Sequence, residues 1–150
     1  MFNSILVCID GSEHANRAID LACELAKNQS TKLTLLHVIT KPGGQHVPEA
    51  LKSLQEIEHV HITERDVVES VGRDVLEAAS QRVRKGGVGD CDTLLEVGDA
   101  AGTIVETAKS SGADLIVMGR RGLGDFTGLL LGSVSHKVAQ AADCSCLTVK

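Results

Sequence analysis

Three glycines and a serine supply the spacing in this chain best suited to holding an anion. The stretch reads Gly119-Arg-Arg-Gly122-Leu-Gly-Asp-Phe-Thr-Gly-Leu-Leu-Leu-Gly132-Ser133. The apolar run Leu115-Ile-Val-Met118 leads into it, and an apolar-periodic segment from Val134 to Ala142 leaves it. A strand, a glycine-rich turn and a helix start are therefore stacked in one short span. That arrangement turns backbone N–H groups and a helix N-terminus toward a negative charge, most often a phosphate. The chemistry expected is nucleotide binding.

Each residue type has a reason to be there. Gly119 and Gly122 let the backbone approach a phosphate with no Cβ in the way. Gly132 and Ser133 open a helix, with Val134 and Ser135 in the same first turn, so their N–H groups have no intrahelical acceptor and point outward. The hydroxyls of Ser133 and Ser135 can donate to phosphate oxygens. Arg120 and Arg121 carry forked donors that suit phosphate, the alternative being two solvated loop cations. Asp10 ends an apolar run ahead of Gly11-Ser12. A carboxylate beside an anion site would repel it, so Asp10 suits a ribose hydroxyl or a magnesium ion. Its competing role is that of a turn or cap residue. The chain has two Phe and no Trp or Tyr, so a base would lie in an aliphatic slot made by Ile9, Val38 and Met118, residues that also suit plain core packing.

Other chemistry is not written in the residues. There is no Gly-x4-Gly-Lys-Ser/Thr phosphate loop and no dinucleotide Gly-x-Gly-x-x-Gly. No Gly-x-Ser-x-Gly elbow marks a hydrolase. His59 and His61 stand two apart, and such residues face different ways on a helix, so they read as a solvated pair rather than metal ligands. Cys144 and Cys146 fall on one face of a strand and read as buried structural thiols. Hydrolysis at a useful rate needs a placed water, metal ligands and charge stabilisation. One strand-end acid and no clear base imply slow turnover at most.

The elements that must position these residues follow from periodicity. Ser4 to Ile9 is a short apolar run bounded by Asp10-Gly11-Ser12 and reads as a buried strand. Ser12 caps a helix whose apolar positions are Ala15, Ala18, Ile19, Ala22, Leu25 and Ala26. Lys32 to Ile39 is a second strand. Residues 41–48 hold two Pro and two Gly and read as a loop. Pro48 then opens a short helix through about Ile57. A long helix is expected from about Ile62 to Lys85, with Val68, Val71, Val75, Ala79 and Val83 on its inner face and Gly86-Gly87 ending it. Cys91 to Val97, Asp114 to Met118 and Ser145 to Val149 are three more strands. Helices over 100–111 and 133–142 alternate with them. The order β-α-β-α-β-α-β-α-β, with strands apolar on both sides, specifies a parallel sheet covered on each face.

Composition agrees with one domain over residues 1–150. A formal charge of −5 opposes binding to nucleic acid, which needs a basic footprint. From Ala113 onward, however, basic residues outnumber acidic ones, as a region that holds an anion should. No apolar stretch approaches the ~20 residues of a membrane-spanning helix. The N-terminus has no basic lead before its apolar run. Five cysteines without framework spacing fit free thiols in a reducing cytoplasm.

The chain resembles the universal stress proteins. That family's nucleotide signature is Gly, two residues, Gly, nine residues, then Gly-Ser or Gly-Thr, and it is met by Gly119, Gly122, Gly132 and Ser133. Ile5-Leu-Val-Cys-Ile-Asp-Gly-Ser12 and Gly112-Ala-Asp-Leu-Ile-Val-Met-Gly119 are similar to the family's first strand and to the strand before its loop. Cys8 stands where many members carry Pro or Ala, and residues 40–62 match no part of the pattern. The resemblance implies an α/β fold: a single open five-stranded parallel sheet in order 3-2-1-4-5 with helices on both faces, Rossmann-like and of the adenine nucleotide alpha hydrolase kind. In that order the switch point falls between the first and fourth strands, where open α/β sheets bind ligands. Asp10 and Gly119 would flank it. The resemblance further implies an adenine nucleotide, ATP or AMP, with or without Mg2+, as ligand. It favours the ribose as partner of Asp10, and the backbone of Val38 as reader of the adenine edge. It implies a stress-response binding protein that reports its occupancy to a partner protein, with little turnover. A homodimer through the last strand, at Leu147 and Val149, is implied as well. The alternatives are a slow ATP hydrolase or phosphotransferase, and a dimeric scaffold with a vestigial site.

Overall fold

Parallel strands buried on both faces form the centre of the protein. The computed structural model describes residues 1–27, 30–40, 63–123 and 132–150. The elements are β1 (Ser4–Cys8), α1 (Glu13–Ala26), β2 (Lys32–Ile39), α2 (Glu64–Lys85), β3 (Asp92–Val97), α3 (Ala100–Ser111), β4 (Leu115–Gly119), α4 (Ser133–Ala141) and β5 (Ser145–Val149). The five strands make one sheet in the order β3-β2-β1-β4-β5. Every pairing is parallel, with Ile5 opposite Leu33 on one side and Leu115 on the other. The expected sheet and its order are present.

Alternation along the strands divides the core in two. Ile5, Val7, Leu33, Leu35, Leu115 and Val117 face one way and pack with α1 and α2. Leu6, Leu36, Ile116 and Met118 face the other way and pack with α3 and α4. Helix starts are fixed locally. Ser12 Oγ accepts from Ala15 N at 3.2 Å at the head of α1. Thr63 and Asp66 form a capping box at the head of α2. Asp99 accepts from Gly102 N at 2.9 Å at the head of α3. Helix α3 ends on Gly112 at φ +66°, a left-handed residue that glycine adopts without a Cβ penalty.

The inner face of α2 differs from the expected one. Gly72, Leu76, Ala79, Ser80 and Val83 are buried, whereas Val71 is 56% exposed. The reason is angular. A four-residue step turns about 40° beyond a full turn at 3.6 residues per turn, so three such steps back from Val83 carry Val71 far round the helix. Gly72 keeps the true stripe seated. A Cβ there would lie 2.7 Å from Leu95 Cδ1 and 3.2 Å from His37 Cδ2. Val68 and Val71 are thereby left at the carboxyl end of the sheet. The short helix expected from Pro48, the pair His59 and His61, and most of the span between Gly122 and Gly132 lie outside the described residues.

Candidate functional site

A cavity of about 550 Å³ opens where the connections leaving the neighbouring strands β1 and β4 pass to opposite faces of the sheet. It lies beyond the carboxyl ends of β1, β2 and β4, as the switch point demands. Ile9, Asp10, Val38, Met118, Gly119, Arg121, Gly122, Gly132, Ser133, Val134 and Ser135 line it. Of the expected site residues only Arg120 is missing from that wall.

Arg120 acts through its backbone. Its N–H donates to Val149 O at 2.6 Å, and its carbonyl accepts from Gly132 N at 2.8 Å and from Ser135 Oγ at 2.9 Å. One residue therefore ties the end of β4 to β5 and to the head of α4. Its Nε is buried without a hydrogen-bond partner among the described residues. Arg121 lines the cavity and Arg120 does not.

The glycines open room that the protein itself fills. A Cβ on Gly119 would stand 2.8 Å from His14 Cβ and 3.0 Å from both His14 C and Arg121 O. A Cβ on Gly122 would stand 2.6 Å from Asp10 Oδ2. The N–H of Gly132 is already given to Arg120 O. Gly132 therefore departs from the expectation that its N–H points outward, whereas Gly119 and Gly122 lie close against His14 of α1 and against Asp10. The outward donors begin one residue later. No side chain caps α4. Its first-turn N–H groups, at Ser133, Val134 and Ser135, have no intrahelical acceptor, and all three residues line the cavity. The partial positive end of the helix is directed there too. Ser133 and Val134 are exposed. Ser135 is only 4% exposed, and its hydroxyl is directed at the carbonyls of Arg120 and Gly132, at 2.9 and 3.0 Å, rather than out of the loop.

Asp10 lines the same cavity. Gly11, at φ +82°, turns the chain so that Asp10 Oδ1 accepts from Ser12 N at 2.9 Å. Oδ2 accepts from Leu123 N at 3.2 Å. Asp10 is the one carboxylate among the described residues of the wall. No group of three His, Cys, Asp or Glu is arranged for a metal ion among the described residues. The described residues thus offer no all-protein metal cage, and Asp10 is the one carboxylate that a phosphate-bound Mg2+ could meet there.

The rest of the wall is aliphatic. Ile9 belongs to the core layer with α1 and α2, and Met118 and Val38 to the layer with α3 and α4, so the slot is built from both faces of the sheet where its edge ends. Val68, Val71, Gly72, Ile39, Thr40 and His37 join it, and sequence reasoning missed them. A glycine inside a helical pattern is the usual mark of close approach, and Gly72 carried that mark. His37 Nδ1 lies 2.8 Å from Ile9 O. Facing a carbonyl, that nitrogen donates, which leaves Nε2 as the acceptor of the neutral ring. Cys8 also lines the cavity, and burial pushes its thiol far up, with smaller contributions from Cys146 and Cys144. Burial raises those two thiols as well. All three pack against the α3–α4 core layer, in keeping with inert thiols.

Known proteins share this fold. The universal stress protein family model matches residues 1–150. The universal stress protein YxiE of Bacillus subtilis is 38% identical over 154 residues, covering 100% of both chains. Universal stress protein UspA from Lactobacillus plantarum superposes with a TM-score of 0.78 at 26% identity, over 99% of this chain and 97% of the other. A universal stress protein solved in complex with cAMP superposes with a TM-score of 0.73 at 26% identity, over 99% and 97%. With the sheet order, the switch-point cavity and a match along its full length, this chain belongs to the universal stress protein family.

Proposed function

We propose that the cavity binds an adenine nucleotide, AMP or ATP, and that the protein works as a binding module with little or no turnover. The observation that carries this is the pairing of two chemistries in one cleft. The uncapped N-terminus of α4 and Arg121 form an anion end, and Ile9, Val38 and Met118 form an aliphatic end with no aromatic ring. A phosphate suits the first and a purine the second. The cAMP complex of a relative supports an adenine nucleotide of some kind. If ATP is the ligand, Mg2+ travels on its phosphates, since the wall offers it only Asp10.

Thermal unfolding with AMP, ATP and ATP–Mg2+ tests the reading. A ligand held only by the folded chain stabilises it by about 2.7 kcal/mol at a hundred times Kd. For 150 residues that is a rise in Tm of roughly 5–11 °C. No rise at millimolar nucleotide contradicts it. Phosphate release by the wild type and by Asp10→Ala separates slow hydrolysis from binding alone.

A second reading concerns assembly. β5 pairs only with β4, so its other edge is unpaired among the described residues. Bare edges invite pairing with a second copy, and we propose a homodimer in which Leu147 and Val149 lie at that seam. Sedimentation at micromolar concentration checks it, and monomer alone rules it out. Occupancy of the cavity would then be reported through such contacts during stress, in the cytoplasm that five free thiols suit.

A further inference from the structure

We infer that Asp10 is a positioning residue: it sets the anion end of the cavity by clasping the glycine loop, without itself touching the anion. The inference rests on the nucleotide reading for its ligand and on the hydrogen bonds of the unliganded chain for its geometry.

The segment 119–123 is fastened at several points. Gly119 is packed on His14 of α1. Arg120 is bonded to β5 and to the head of α4. Beyond Arg120, the fastening described for Leu123 is Asp10, whose Oδ2 accepts the Leu123 N–H at 3.2 Å. Gly122 is drawn so close that a Cβ would stand 2.6 Å from the same oxygen. Oδ1 meanwhile accepts from Ser12 N at 2.9 Å, and Ser12 caps α1. One carboxylate thus joins the end of β1, the head of α1 and the loop that carries Arg121 across the switch point. Its charge matters, since an ionised carboxylate accepts from several N–H groups at once and donates to none. An asparagine of equal size presents an NH2 to one of the two N–H donors, and one bond is lost.

This role is separable from contact with a ribose. A carboxylate that only held the nucleoside would, when removed, weaken adenosine and AMP by the same factor. A carboxylate that orders the loop weakens AMP more, because preorganisation of the phosphate end is what disappears.

Three measurements on the full chain test the inference. Hydrogen exchange of the Leu123 amide is read first, with no nucleotide present. In Asp10→Ala, which removes both acceptors, it quickens by about tenfold, the factor for a charge-assisted bond at the weak end of its range; equal rates in the two proteins overturn the proposal. Gly122→Ala gives the same loosening from the other side, because its Cβ displaces Oδ2. In an Asp10→Ala background that added methyl meets no oxygen and changes nothing further. Additive effects of the two substitutions contradict the clasp. Affinities for adenosine and AMP are measured last. The AMP-to-adenosine ratio falls severalfold in Asp10→Asn, and an unchanged ratio overturns the proposal. A wild type that binds neither ligand refutes the nucleotide reading, while Leu123 exchange still decides whether the clasp exists.

Discussion

Replacing Gly119 by alanine separates two explanations of a signature glycine. If its small size serves the ligand, Gly119→Ala weakens nucleotide binding and leaves the empty protein as stable as before. If it serves packing, the empty protein suffers. The geometry favours packing. The added methyl would stand 2.8 Å from His14 Cβ and 3.0 Å from His14 C and Arg121 O. Two of those three atoms are backbone, and the third is fixed to the first turn of α1, so no flexible side-chain end can swing away. Overpacking of this kind costs about 1–3 kcal/mol. Gly119 ends a strand, so no gain in helix propensity offsets the strain. At about 2–4 °C per kcal/mol for a chain of this size, a cost near 2 kcal/mol lowers Tm by roughly 4–8 °C. Thermal unfolding by circular dichroism, without nucleotide, is the assay. A Tm within about 1 °C of wild type would refute the packing explanation and return Gly119 to a ligand-facing role.

Ser135→Ala removes the buried hydroxyl that donates to Arg120 O and Gly132 O. About 1 kcal/mol of stability should go with it, together with nucleotide affinity, since the same bond holds the loop to α4. Unchanged affinity in titration calorimetry would show that α4 is positioned by other contacts. At the surface, the Arg82 guanidinium grips Asp20 through two bonds of 2.6 and 2.7 Å and holds its carboxyl below the usual range. A lowered folded-state pKa stabilises above the unfolded value of about 4, and the benefit is lost as pH falls through the folded value. Asp20→Asn should therefore lower Tm at pH 6 and converge with wild type as pH falls below the folded-state value. Because the pair is exposed, the difference is at most about 1 kcal/mol. A gap that stays constant on acidification contradicts it.

The sheet was legible because buried parallel strands are plain apolar runs, and Ser4–Cys8, Lys32–Ile39 and Ser145–Val149 fall where their runs do. The site was legible as a set of positions, since strand ends and a helix start mark the switch point once the sheet order is known. What those positions do was less legible. A sequence records that Gly119 and Gly122 lack a Cβ, but not that His14 and Asp10 take up the room. It records a hydroxyl at 135 but not its direction, which depends on a carbonyl fifteen residues away. The α2 wall of the cavity was hidden for another reason. Val68 and Val71 look like core residues of an amphipathic helix, and only the close seat of Gly72 on Leu95 shows that their turn overhangs the sheet's end.

The central claim is that a nucleotide's phosphate meets the first-turn amides of α4. Titration of the isotope-labelled protein with AMP, followed through its backbone amide resonances, tests this most directly. Ser133 and Val134 should shift with saturation, with the same Kd as Val38 and Met118 at the aliphatic end. AMP binding that moves the strand ends but leaves Ser133 and Val134 in place, or no saturable shift at millimolar AMP, would contradict it.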